Sequence, residues 1–214
     1  MQFRFSTALL GLVSATAVSG QFQELQQEGP FALKVKGQAS NSSINGYLKW
    51  YNLGGLTNPT FISYEPNAYP TVSDSSYQWY FNYTGFVQYR EHEVGFLVVN
   101  PTANTTTPSP YRGQVMDMTY QSNSNVGVPL LGLGTNSYFD VGFDDDNKAF
   151  NTKEFDDGAY VPGVQPEYDD DLGYYHWAVC WQFSGMYQQT LSWITYGTPH
   201  NPTCELVDLV RVTL

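Results

Sequence analysis

Tyr77-Gln78-Trp79-Tyr80-Phe81-Asn82-Tyr83-Thr84 is the stretch that decides the fold class. Tyr77, Trp79, Phe81 and Tyr83 fall on one side of an extended chain, and Gln78, Asn82 and Thr84 on the other. This period of two is the signature of a half-buried strand. The same alternation recurs outward in both directions. Upstream, Phe31, Leu33 and Val35 share a face opposite Lys34 and Lys36, and Asn45-Gly46 supplies a hairpin-type turn before a strand over Tyr47 to Leu53. Thr60 to Tyr64 reads as another strand. Downstream, Gly85 turns the chain into Phe86 to Arg90, and Gly95 leads into Phe96-Leu97-Val98-Val99. Further strands are expected over Gln114 to Tyr120 and Tyr138 to Phe143, with a Ser/Asn/Gly stretch between them.

The C-terminal part repeats the pattern. Tyr175, Trp177, Val179, Trp181 and Phe183 form an apolar face, Ser184-Gly185 turns, Thr190 to Tyr196 answers, and Cys204 to Leu214 closes the chain. Helical periodicity is almost absent, with only Phe22 to Gly29 able to form a turn or an unstructured leader. Many short strands at close spacing predict a single all-β domain over residues 31–214, an antiparallel β-sandwich or barrel with one disulfide. A β-trefoil is the alternative topology. Pro101 to Gly113 (PTANTTTPSPYRG) reads as an exposed Thr/Ser/Pro-rich loop. Asp144 to Asp171 reads as a long acidic, irregular segment broken by Gly158, Pro162, Gly163 and Pro166.

The first twenty residues have the layout of a cleaved secretory signal. Arg4 precedes the apolar Ala8 to Val13, and Ala17-x-Ser19 or Val18-x-Gly20 suits signal peptidase. No later run approaches the ~20 apolar residues that span a bilayer. Cleavage leaves about 190 residues, enough for one domain with a full core, with 21–30 as its leader. Asn41, Asn82 and Asn104 stand in N-glycosylation sequons, Asn82 on the polar face of its strand, while proline silences those at Asn58, Asn100 and Asn201. Cys180 and Cys204 are the only cysteines, and on an oxidising route they most simply bond to each other. Two free buried thiols, or a metal site, are the other readings.

Trp177-x-x-Cys180, Leu191-x-Trp193 and Pro199-x-Asn201-Pro202-x-Cys204-x-x-Val207 stand near the end of the chain. With Phe31-x-Leu33-x-Val35, Asn45-Gly46-x-Leu48 and Tyr138-Phe139-Asp140-Val141-Gly142-Phe143-Asp144, they resemble a family of fungal secreted proteins classed as a domain of unknown function. The resemblance implies an extracellular fungal protein, a Cys180–Cys204 pair and no assigned activity. Some members carry further cysteines in the first half, and this chain has none there.

A net charge of −11, from 9 basic and 20 acidic residues, argues against nucleic acid and anionic membranes as partners. Loop oxygens at Asp144, Asp146, Asp169 and Asp171 are the ligand type calcium prefers, although no EF-hand spacing is present. Runs of acid are more often solvated faces. No other cofactor is implied. His92, His176 and His200 show no metal-binding spacing, and no serine elbow occurs. Glu65, Glu91, Glu93, Asp117 and Asp140 are the carboxylates from which a glycosidase pair would have to be drawn.

Seventeen tyrosines, thirteen phenylalanines and five tryptophans leave aromatic surface for binding. Trp50, Trp181, Trp193, Tyr174 and Tyr175 are the candidate platform, while Trp79 and Trp177 read as core. The leading expectation is a non-enzymatic secreted glycoprotein that recognises carbohydrate or a cell-wall polymer. An extracellular polysaccharide hydrolase is the alternative, and a purely structural wall component a third.

Overall fold

The structure is a computed structural model and describes residues 24–52, 60–100, 113–132, 139–153, 160–167 and 172–214. It is all β. The strands are β1 (Gln26–Gly37), β2 (Asn45–Asn52), β3 (Thr60–Pro66), β4 (Trp79–Tyr89), β5 (His92–Val99), β6 (Gln114–Tyr120) and β7 (Val126–Gly132). After them come β8 (Val141–Phe143), β9 (Ala149–Lys153), β10 (Leu172–Tyr174), β11 (Trp177–Ser184), β12 (Met186–Ile194) and β13 (Glu205–Thr213).

All pair antiparallel in one sheet that closes on itself. The path β1-β13-β11-β12-β7-β3-β2 returns to β1, so seven strands make a ring. Closure depends on two strands that each serve three neighbours. Strand β1 gives one edge to β13; the other goes to β4 near its start and to β2 over Lys34–Lys36. Strand β7 gives one edge to β6 and divides the other between β12, at Val126 and Gly127, and β3, at Leu130 and Leu131. The closed form of the expected architecture is therefore the one adopted, and its pairings do not repeat as three lobes.

The core fills the ring. Leu33, Leu48, Ile62, Trp79, Trp177 and Leu209 are fully buried and come from six strands. Phe139, Trp177 and Trp193 pack edge to face with centroids 4.9–5.6 Å apart. The Cys180–Cys204 disulfide forms, joining β11 to the approach to β13 across 24 residues. At the other end of β13, Arg211 donates to Glu28 Oε2 at 2.9 Å and to Asn147 Oδ1, and covers the Phe143 ring at 4.5 Å.

Several boundaries differ from expectation. Residues 26–30 are strand, not leader, because Gln26, Gln27 and Glu28 find partners on β4. Tyr77 ends a 3-10 turn, and the strand starts at Trp79. Gly85 (φ 74°) does not end β4; it marks an irregularity between Tyr83 and Gln88, and the chain reverses at Arg90 and Glu91. Strand β7, which contains Gly127, Pro129 and Gly132, falls within the Ser/Asn/Gly stretch expected between two strands. The acidic segment includes β9, which pairs with β8 and β10. Most of the Pro101 to Gly113 loop lies outside the described residues.

Replacing both cysteines by serine is expected to lower the unfolding free energy by about 3 kcal/mol, the chain-entropy contribution of a loop this long. Urea denaturation measures it, and a loss below about 1 kcal/mol would mean that the bridge is not a main support of the fold.

Candidate functional site

Alternation places Trp177, Val179, Trp181 and Phe183 on one face of β11, opposite Trp193, Leu191, Gln189 and Tyr187 of β12. The first two pairs are buried in the core, but the hairpin runs on past the end of the barrel. Trp181 is 43%, Tyr187 66% and Phe183 78% exposed. Trp181 and Tyr187 stack, with centroids 5.4 Å apart and planes 29° apart. Phe183 faces Tyr187 directly across the ladder, and Met186 is exposed on the other side of the tip. Large apolar side chains concentrated at one exposed point mark an interaction surface.

The tip is braced from beneath. Tyr51 Oη donates to Ser184 O at 2.9 Å, Gln188 Nε2 donates to Tyr51 Oη at 2.6 Å, and Thr190 Oγ1 donates to Ile62 O at 2.6 Å. Burial raises the Tyr51 phenol above its usual pKa, with the Gln188 bond opposing, so it stays a donor. Gly185 turns the hairpin at φ 72°, and an added Cβ would lie 3.0 Å from the Phe61 ring. From the side, Trp181 N–H donates to Thr203 Oγ1 at 3.0 Å, and Trp181 O accepts from Asn201 Nδ2 at 2.9 Å. Thus the disulfide loop caps the edge of β11 where its pairing with β13 has ended.

The five platform candidates are not brought together. Trp50 is buried and donates to Gln78 O at 3.3 Å, and Trp193 is buried in the aromatic core. Both are core residues, because each lies inward on a strand of the closed ring. Tyr174 and Tyr175 are half-buried and line a different cleft. Only Trp181 is on the tip. Phe183, expected on the apolar face of its strand, and Tyr187, which the sequence does not single out, are its neighbours there. Trp79 and Trp177 are fully buried.

The other candidates scatter. Asp144 Oδ1 accepts from the N–H groups of Asp146 (3.0 Å) and Lys148 (2.8 Å), and Oδ2 accepts from Tyr175 Oη (3.0 Å). These bonds hold the turn before β9. Asp169 and Asp171 lie outside the described residues, among which no group of three or more His, Cys, Asp or Glu is set to hold a metal. Glu65 accepts from Ser63, Glu93 from Gln88, and Asp117 from Met118 N–H, on β3, β5 and β6. His176 meets Ile194 O and His200 meets Asn123 O, far apart in the chain.

Asn41 is exposed in the turn between β1 and β2. Asn82 is not on a solvent-facing surface: it is fully buried, and its Oδ1 accepts from Gln27 Nε2 at 2.8 Å. The extension of β1 back to Gln26 covers the face that alternation alone leaves open. Asn104 lies outside the described residues. Compared with family models, curated proteins and solved structures, the chain matches none significantly.

In a glycosylating host, Thr84→Ala, which destroys the Asn82 sequon without touching Asn82, is expected to leave electrophoretic mobility unchanged. Asn41→Gln is expected to increase it. A mobility gain for Thr84→Ala would show that Asn82 carries glycan and that β1 does not cover it.

Proposed function

We propose that this chain is a secreted glycoprotein that acts by surface recognition, with carbohydrate as its ligand and the β11–β12 tip as its contact surface. The observation that carries the reading is the exposed Trp181–Tyr187 stack on a hairpin held from two sides. Sugar rings have apolar C–H faces that pack on indole and phenol rings, and such contacts favour large, rigid aromatic groups. Gln189 stands across the ladder from Trp181 on the same face and suits the hydroxyl rim of a saccharide. A pre-braced tip loses little freedom on binding, so more of the contact energy appears as affinity.

Secretion is supported by the signal-like first twenty residues, and the disulfide fits that route. No helix among the described residues is long and apolar enough to cross a membrane. Fungal origin and a cell-wall setting rest on the family resemblance of the quoted motifs, of which the C-terminal Trp177-x-x-Cys180 to Cys204 part is the most specific. Among the carboxylates considered for hydrolysis, Glu65, Glu93 and Asp117 lie on three different strands and each accepts a hydrogen bond, and no observation favours the enzyme reading.

Purified mature protein is expected to be depleted from solution by at least one of insoluble chitin, β-glucan, cellulose and mannan. Trp181→Ala should weaken retention about tenfold, the loss of one ring-stacking contact of about 1.4 kcal/mol. Retention on none of the four polymers would overturn the carbohydrate reading and leave a protein partner or a structural role.

A further inference from the structure

A second concave site lies away from the hairpin tip, where the β4–β5 turn, the β8–β9 turn and β10 meet. The cavity is about 360 Å³, within the range of small-ligand sites. Tyr89, Arg90, His92, Asp144, Tyr174 and Tyr175 line it. Its floor is rigid: Tyr89, His92 and Tyr175 all pack on the fully buried Phe150, with centroids 4.9, 6.2 and 6.0 Å away. Gly173 completes the wall, and a Cβ there would come within 2.9 Å of the Tyr89 ring.

The polar groups are aligned by the fold. Arg90 and Glu91 form the turn with φ of 44° and 74°, a left-handed pair that non-glycine residues seldom adopt. That turn sets the Arg90 guanidinium over the Tyr89 ring at 5.4 Å. Asp144 already accepts three hydrogen bonds, two at Oδ1 and one at Oδ2. A carboxylate has about four acceptor positions, so one remains at Oδ2. The Tyr175 hydroxyl gives its proton to Asp144, which leaves its own lone pairs as acceptors. Burial and the Asp144 carboxylate push that phenol up to about 12, so the arrangement holds across the physiological range.

The site therefore combines a planar guanidinium donor, two adjacent oxygen acceptors and tyrosine ring faces. Vicinal hydroxyls can use both donor and acceptors at once, and a pyranose offers them along one edge with C–H groups on its faces. The surroundings select against anions. Arg90 shares the cleft with Asp144, Asp145 lies 4.0 Å from His92 Nε2, and Glu91 and Asp146 are exposed nearby. We propose that this cleft binds a single neutral pyranose residue, a chain end or a branch, through its vicinal hydroxyls. The ligand class rests on the carbohydrate reading above, but the site does not use the hairpin tip.

The test is an amide NMR titration of the isotope-labelled full chain with methyl glycosides of glucose, mannose and galactose. Glucuronic acid and inorganic phosphate serve as anionic controls. At least one methyl glycoside is expected to move the Arg90, Gly173 and Tyr174 resonances saturably. Tyr175→Phe and Arg90→Asn, the second retaining a residue that tolerates left-handed φ, should each weaken binding about fivefold or more. Trp181→Ala should leave it unchanged. Saturation by the anions alone, unchanged affinity in both cleft variants, or no saturable shift would overturn the proposal. Sugar-induced shifts confined to Trp181, Phe183 and Tyr187 would also overturn it while leaving the tip as the recognition surface.

Discussion

Backbone hydrogen bonding along β1 and β7 is the constraint on which the rest of the structure depends. An open sheet leaves two rows of unpaired amides, a standing invitation to edge-to-edge association. Here Phe31 pairs with Thr213 on one side and Trp79 on the other, and Lys34 with Val210 and Tyr47. Because β1 and β7 each divide an edge, the sheet can close with hairpins of unequal length. Strand β10, at an end of the strand path, has only three residues. Closure also creates the core, because inward side chains from all seven strands of the ring join Trp79 in one buried cluster.

The seams of that closure are where the sequence was hardest to read. Alternation along Phe31–Val35, Trp79–Tyr83 and Trp177–Val179 is legible because the largest apolar side chains recur on one face of each segment. Strand β7 has apolar residues throughout and carries Gly127 and Pro129, which normally interrupt strands. Pro129 sits between the pairing with β12 at Gly127 and that with β3 at Leu130, where the ladder is already interrupted. An added Cβ at Gly127 would lie 2.7 Å from the Tyr120 ring, so the glycine is set by a contact from β6. Neither reason can be seen without knowing three partners at once. Asn82 shows the same limit. Its face was read correctly as polar, but polarity does not reveal that Gln27 will cover it and satisfy its amide oxygen.

The candidate site was half legible for a related reason. A period of two assigns Trp181 and Phe183 to the face that holds Trp177 and Val179, and gives no sign of where the barrel ends along that face. The signal available was an excess. Trp181, Phe183 and Tyr187 extend a hairpin by more apolar surface than its neighbours can bury. Trp50 and Trp193 carry no such excess, since each has a full set of core neighbours. Likewise Tyr174 and Tyr175 are adjacent in sequence but belong to a cleft whose polar groups come from turns over fifty residues apart.

The Asn201-Pro202-Thr203-Cys204 segment joins these threads. Asn201 Oδ1 accepts from both the N–H and the hydroxyl of Thr203, and the two side chains together bond the N–H and carbonyl of Trp181. The triplet would be a sequon without Pro202, and a glycan on Asn201 Nδ2 would leave that nitrogen one N–H and set a bulky group beside its bond to Trp181 O. Proline therefore keeps Asn201 available for capping, and the adjacent disulfide holds the cap in register with Cys180. The outcome is a strand edge sealed at the point where the hairpin leaves the barrel. An unsealed edge there would fray, and the stacked rings beyond it would lose the fixed geometry on which any stacking ligand depends.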